Sequence, residues 1–173
     1  LDLVLAAAGG RVDSVRAVGR RSVSAQADRA EVDLLFASGC RAHLSASRAH
    51  PRSERTLRWW NEDATIELDF FRKTSATLRR RPGVRQVVEP KGMLAPAERE
   101  RMLAETFAVE TREHDQTVHP LRLELDDFIR CARTGARPKV GGEEGLAALS
   151  LAHRIEQAMS EQSAGEGSLS RAA

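Results

Sequence analysis

The stretch from His119 to Ile155, HPLRLELDDFIRCARTGARPKVGGEEGLAALSLAHRI, predicts two helices joined by a short connection rich in glycine and proline. Pro120 suits the first turn of a helix, where the N–H that proline lacks needs no partner. Gly135 supplies a stop, and Pro138 prevents the helix from resuming. Between them, one helical face carries the apolar residues Leu121, Leu125, Phe128, Ile129 and Ala132.

The second helix is expected to begin after Gly141 and Gly142. Glu143 and Glu144 follow, and their carboxylates suit the positive end of a helix. Its apolar residues are Leu146, Leu149, Leu151 and Ile155. From Ser160 onward, the serine, glycine, alanine and glutamate content predicts a disordered tail over residues 160–173, so residues 1–159 form the folded domain.

Residues 11 to 80 show a period of two, which is typical of strands. A hairpin is predicted around the Ser38–Gly39 turn, with Val32, Leu34 and Phe36 on its apolar face. Further strands are predicted at Val12–Val18, Leu57–Trp59, Ile66–Phe70, Thr74–Arg80 and Phe107–Arg112. Residues 81–105 form an excursion that ends in a short charged helix from Pro96 to Glu105. The pattern predicts an α+β fold: an open antiparallel β-sheet with helices packed on one face.

The other sheet face is expected to be polar, and two interpretations of it stay open. Its charged and polar side chains are ordinary solvated residues, or they form a self-complementary contact with a second copy. The residues placed on this face are Glu31, Asp33, Arg41, His43, Glu67 and Asp69.

The two-helix stretch resembles the end of the Gfo/Idh/MocA family of NAD(P)-dependent oxidoreductases. That family has a helix ending in F-x-x-x-hydrophobic-R-x-G-x-x-P, followed by V-x-G-E-D-G-hydrophobic-x-A-L. Here the first phrase runs from Phe128 to Pro138 and the second from Val140 to Leu149, with Glu144 in place of Asp. Leu1-Asp2-Leu3-Val4-Leu5 is similar to the end of the family phrase H-D-L-D-L-V-L. We therefore expect the catalytic residues and an N-terminal Rossmann domain that binds NAD or NADP to lie upstream of Leu1.

The resemblance implies hydride transfer involving a sugar or nucleotide sugar, with a narrower hypothesis of a UDP-N-acetylhexosamine oxidised at its 3-hydroxyl. This domain would shape the substrate pocket and form a homo-oligomer through the open sheet face, and it would be inactive alone. A non-catalytic dimerisation or scaffolding module is the alternative, and a small-ligand binding protein is a third possibility.

Arg48 and His119 are the candidate substrate-binding residues. Arg48 follows a predicted strand, where a guanidinium suits phosphate or carboxylate, and the family often has a similar Ser-Arg phrase facing the pocket. A surface ion pair is the alternative for Arg48. His119 precedes Pro120 at a helix start, where it either leans into the substrate cleft or serves only as a helix-entry residue.

Composition excludes several other classes of function. A formal net charge of +2 over 173 residues is too small to imply a polyanion, and the lack of tyrosine argues against base stacking. No apolar run approaches the roughly 18 residues of a membrane span, so we expect neither nucleic acid nor membrane as a partner. Cys40 and His43 would face opposite sides of a strand, so no metal site is predicted. Free thiols at Cys40 and Cys131 fit a reducing compartment, and a cytoplasmic location is expected.

Overall fold

A computed structural model describes residues 1–84 and 94–169, with side chains up to residue 162. Every strand pairing in these residues is antiparallel, which confirms the predicted α+β class. The elements in chain order are α1 (Asp2–Ala8), β1 (Val12–Arg20), β2 (Arg29–Phe36), β3 (Arg41–Ser47), β4 (Thr56–Trp60), β5 (Ala64–Asp69), β6 (Thr74–Arg80), α2 (Pro96–Thr106), β7 (Phe107–Glu113), α3 (Pro120–Thr134) and α4 (Gly142–Leu169).

The strands form two sheets, in the orders β1-β2-β3 and β4-β5-β6-β7, where the sequence predicted one. The pairing stops between β3 and β4, where the connecting segment contains Pro51, which has no N–H for a ladder. The chain accordingly divides into two compact units. The first contains Leu1–Pro51 and Glu124–Ala173, and the second contains Arg52–Leu123.

The core of the first unit lies between its sheet and α4. Val32, Leu34 and Phe36 alternate along β2 and are buried, Phe36 with only 1% of its surface exposed. Leu151 and Ile155 of α4 are buried as well, and α4 packs on β1. This arrangement confirms the predicted apolar face of the hairpin and its cover by a helix.

Two contacts fix how α4 lies on β1. A Cβ added to Gly19 would be 3.0 Å from the Sδ of Met159, so the close approach of helix and strand needs a glycine here. Arg154 Nη1 donates a hydrogen bond of 3.0 Å to the backbone carbonyl of Val12. That carbonyl lies at the irregularity in β1 between Val12 and Ser14, where a bulge interrupts the pairing with β2.

The second unit contains a four-stranded sheet and α2. The predicted turn at Asn61 is confirmed, because the Asn61 side-chain carbonyl accepts the N–H groups of Asp63 and Ala64. The predicted charged helix is also confirmed: α2 begins at Pro96 and packs on β7. The part of the predicted excursion at residues 85–93, including Pro90 and Gly92, lies outside the described residues.

The corner between α3 and α4 follows the predicted punctuation. Gly135 adopts a positive φ of 67° and ends α3. Arg137 pairs with Glu143 at 3.2 Å and with Glu144 at 2.8 Å. The backbone N–H groups of Glu144 itself and of Gly141, with Arg137 beside them, hold the pKa of the Glu144 carboxyl below its ordinary value.

The end of the chain differs from the prediction of a disordered tail from Ser160. α4 continues as a helix to Leu169, because the alanine, glutamate and glutamine residues there allow an existing helix to propagate. Residues 170–173 lie outside the described part, and the domain boundary at residue 159 stays a prediction. Within the described helices, none is long and apolar enough to cross a membrane.

Candidate functional site

Arg48 lies immediately after β3 in the first unit and is exposed. Its Nη2 donates a hydrogen bond of 3.0 Å to the backbone carbonyl of Ala27, and its own N–H donates to the carbonyl of Asp28. The guanidinium therefore braces the turn that joins β1 to β2. One such bond leaves most of its five N–H donors for water or for a ligand.

That neighbouring turn is built around the carboxylate of Asp28. Asp28 is 4% exposed and accepts backbone N–H groups from Ser22, Val23 and Ser24 at distances of 2.7 to 3.1 Å. The N–H of Val23, with those of Ser22 and Ser24, lowers the pKa of Asp28 to about 2. Such a cluster of N–H groups is a typical phosphate cradle, but here an internal carboxylate already fills it. A phosphate near Arg48 would need other donors.

His119 lies in the second unit, directly before α3. Its backbone carbonyl accepts the N–H groups of Arg122 and Leu123, so it marks the start of the helix, and its side chain is exposed. The helix-entry role is therefore present, and the substrate-contact role stays a prediction. Arg48 and His119 belong to different units, and each is described within its own.

The loop that carries His119 is held by Lys73. The Lys73 ammonium donates to the backbone carbonyls of Gln116 at 2.6 Å and Val118 at 2.9 Å, and reaches that of Asp115 at 3.5 Å. The Gln116 side chain returns a hydrogen bond of 3.0 Å to the carbonyl of Arg72. The turn between β5 and β6 is thus fastened to the loop before α3.

The four-stranded sheet carries an open depression of about 470 Å³. Its register brings Thr56, Asp69 and Thr74 into one row across three strands. The next row contains Arg58 and Glu67, whose Nε and Oε1 atoms are 2.5 Å apart. The depression is lined mainly by polar side chains, namely Thr56, Arg58, Glu67, Asp69, Thr74, Ser75 and Thr111. Such a surface offers hydroxyl and carboxylate groups to a hydroxyl-rich ligand.

The outer face of the three-stranded sheet carries a charged cluster. His43 lies between two carboxylates, with Nδ1 2.9 Å from Asp33 and Nε2 3.2 Å from Glu31. The hydrogen bond to Asp33 is the main reason why the pKa of His43 is raised. Ser45 donates to the second oxygen of Glu31 at 2.8 Å. The sequence predicted that these side chains share a face, and the structure adds their mutual contacts.

No family model matches the sequence, and no curated protein matches it either. Solved structures do match. The UDP-N-acetylglucosamine 3-dehydrogenase from Acidithiobacillus ferrooxidans matches 91% of this chain with a TM-score of 0.74 and 25% identity. The matched region has the fold of the C-terminal domain of the Gfo/Idh/MocA dehydrogenases. The chain belongs to the Gfo/Idh/MocA family.

Other structures with this Gfo/Idh/MocA fold are less similar in sequence. The WlbA dehydrogenase from Bordetella pertussis, in complex with NADH and UDP-GlcNAcA, matches 93% of the chain with a TM-score of 0.59 and 19% identity. The aldose-aldose oxidoreductase from Caulobacter crescentus matches 93% with a TM-score of 0.65 and 20% identity. At these identities the likeness shows the fold alone. The chain spans 45%, 40% and 43% of the three structures, in the order given.

The Gfo/Idh/MocA assignment gives the depression and the Lys73 clamp a functional context that the sequence did not reveal. The depression depends on how four strands twist together, and the clamp joins residues more than 40 positions apart. The one local signal was the alternation of Glu67 and Asp69 on the predicted polar face.

Proposed function

We propose that this chain is the C-terminal substrate-binding and oligomerisation domain of an NAD(P)-dependent sugar or nucleotide-sugar dehydrogenase. The observation that carries the proposal is the match of 91% of the chain to a UDP-N-acetylglucosamine 3-dehydrogenase. The narrower substrate is a UDP-N-acetylhexosamine oxidised at its 3-hydroxyl. The chain alone is inactive in this proposal, because the catalytic residues and the cofactor site belong to the other half of such an enzyme.

The described residues do not fit NAD or NADP. A dinucleotide is bound where a strand of a parallel sheet turns into a helix through a glycine-rich loop. Every strand pairing described in this chain is antiparallel, and Gly141 and Gly142 follow a helix instead of a strand. The proposed role is therefore to shape the substrate pocket, and no step of hydride transfer is assigned to these residues.

Substrate contacts are proposed for Arg48 and His119, together with the polar depression on the second sheet. A guanidinium with free donors suits a diphosphate, and threonine hydroxyls with carboxylates suit sugar hydroxyls. The outer face of the first sheet is the proposed contact with a second copy. Its arginines and carboxylates, Arg16, Arg41, Glu31 and Asp33, are a mixture that can pair across a two-fold axis.

An NMR titration of the chain with UDP-N-acetylglucosamine tests the substrate role. We expect saturable shifts that Arg48→Ala and His119→Ala each weaken, because each removes a proposed contact. Arg41→Ala is the matched control, since it removes an exposed arginine from the other end of β3. Titration curves without saturation, or equal weakening by Arg41→Ala, would contradict the proposed pocket.

A dimerisation or scaffolding module without a pocket is the second candidate. The ion-paired outer face around His43 favours it, because that face needs no ligand to be useful. Sedimentation of the chain and of a Glu31→Lys variant separates the two candidates. A dimer that the variant breaks, with no response to nucleotide sugar, would select the scaffold.

A further inference from the structure

One apolar surface is not covered by any element of its own chain. The α3 stripe consists of Leu121, Leu125, Phe128 and Ile129, which share one face of α3. Phe128 is 68% exposed and Leu125 52%, and α3 has no buried residue. The opposite face carries charged residues such as Arg130 and Arg133. The helix is thus amphipathic, with its apolar side in solvent.

A helix of this kind needs a partner to be stable. α3 has 15 residues and is roughly 22 Å long, and isolated helices of this length are marginal in water. The apolar stripe is the part of the helix that packing would stabilise. Leu146 and Leu149, near the start of α4, are 66% and 71% exposed. Bulky aliphatic and aromatic residues grouped in this way mark an interaction surface.

The two ends of α3 are held without help from the stripe. The Asp127 carboxylate accepts the backbone N–H of Lys139 at 3.1 Å, which ties the outgoing loop to the helix. At the other end, the Lys73 ammonium holds the loop that precedes Pro120. The stripe is therefore presented by a helix whose position is already fixed, which lowers the entropy cost of docking.

We propose that the α3 stripe is the surface on which the cofactor-binding half of the enzyme docks. The inference rests on the proposed function. The Acidithiobacillus dehydrogenase matches 91% of this chain with only 45% of its own length, so more than half of that protein is a further body attached to this domain. Permanent contacts of this kind are more apolar than reversible ones.

Charge distribution separates this occupant from a second copy of the chain. The outer face of the first sheet is rich in paired charges, including Glu31, Asp33 and His43, and such a face is satisfied in water or in a reversible contact. The α3 stripe contains no charged residue, so water satisfies it poorly. We therefore assign the sheet face to a second copy and the stripe to the cofactor-binding half.

Amide hydrogen exchange tests the proposal directly. The probe is a fusion in which this chain replaces the matching 45% of the Acidithiobacillus dehydrogenase. We expect the amides of α3 to exchange at least about tenfold more slowly in the fusion than in the 173-residue chain alone, because docking suppresses local opening. Phe128→Ser and Leu125→Ser should each remove most of that protection, whereas Arg133→Ser, on the charged face, should keep it.

Two outcomes would overturn the proposal. Equal exchange of α3 in the fusion and in the chain alone would show that the cofactor-binding half does not cover the stripe. Protection in the chain alone that rises with its concentration and disappears in Phe128→Ser would identify a second copy as the occupant. Reduction of NAD by the fusion with UDP-N-acetylglucosamine is a separate readout: protected α3 without turnover would reject the proposed substrate while supporting the docking surface.

Discussion

Lys73→Met removes the ammonium that fastens the turn between β5 and β6 to the loop before α3. In the wild-type chain this group donates to carbonyls at 2.6 and 2.9 Å and approaches a third at 3.5 Å. Methionine keeps the apolar stem and cannot donate. Lys73 adopts a positive φ of 51°, and methionine retains that backbone strain, whereas glycine would relieve it. Lys73→Met therefore isolates the contribution of the hydrogen bonds.

The expected loss of stability follows from the two short contacts. A hydrogen bond to a charged group contributes about 1.5–3 kcal/mol when it is buried. Lys73 is half-buried, and water can reach the freed carbonyls, so the two bonds together should contribute roughly 2 kcal/mol. For a domain of 150–250 residues, this loss lowers Tm by about 4–8 °C.

Thermal unfolding followed by circular dichroism gives the Tm, and hydrogen exchange of residues 115–118 reports on the loop itself. Arg72→Met is the matched control in the same turn, because Arg72 makes an exposed ion pair with Asp69 at 3.2 Å. Such a pair contributes about 0–1 kcal/mol. Equal Tm values for the two variants, or unchanged exchange in Lys73→Met, would refute the clamp.

Three further predictions concern the first unit. Phe36→Ala should lower the free energy of unfolding by about 3–5 kcal/mol in urea titration, because Phe36 is 1% exposed in the core. The pKa of Asp28 is depressed to about 2, so its stabilisation is present above its ordinary value of 3.8 and is lost as pH falls toward 2; Asp28→Asn should destabilise the fold at pH 6 and flatten the acid limb of the stability curve. The raised pKa of His43 makes its ion pairs stabilising below its ordinary 6.5 and loses them as pH rises through the raised value, and Asp33→Asn should lower the pKa measured by NMR.

Local punctuation explains why the helix and strand bounds were predictable. Pro120 and Gly135 delimit α3 where the sequence placed its ends, and Ser38–Gly39 forms the predicted hairpin turn, with Gly39 at a φ of 84°. These signals act within a few residues, so they need no knowledge of the fold. The tail beyond Ser160 was harder, because its composition permits both a helix and a disordered chain.

Tertiary packing explains what the sequence left out. The period of α3 identifies its apolar face but not the body that covers it, so the exposed Phe128 was not foreseeable. Arg48 was correctly placed at the end of a strand, but its contact with Ala27 depends on a turn 21 positions away. The Lys73 clamp spans a still greater separation. Contacts of this kind are set by topology, which a single sequence specifies only indirectly.

The discontinuous first unit has a consequence for synthesis on the ribosome. Its sheet is complete once Ser47 has been translated, but the helix that buries Phe36 begins only at Gly142, after the whole of the second unit. At an elongation rate of about 5–20 residues per second, the nascent apolar sheet face waits several seconds for α4. During that interval, the emerging chain is a substrate for holding chaperones and is most vulnerable to aggregation.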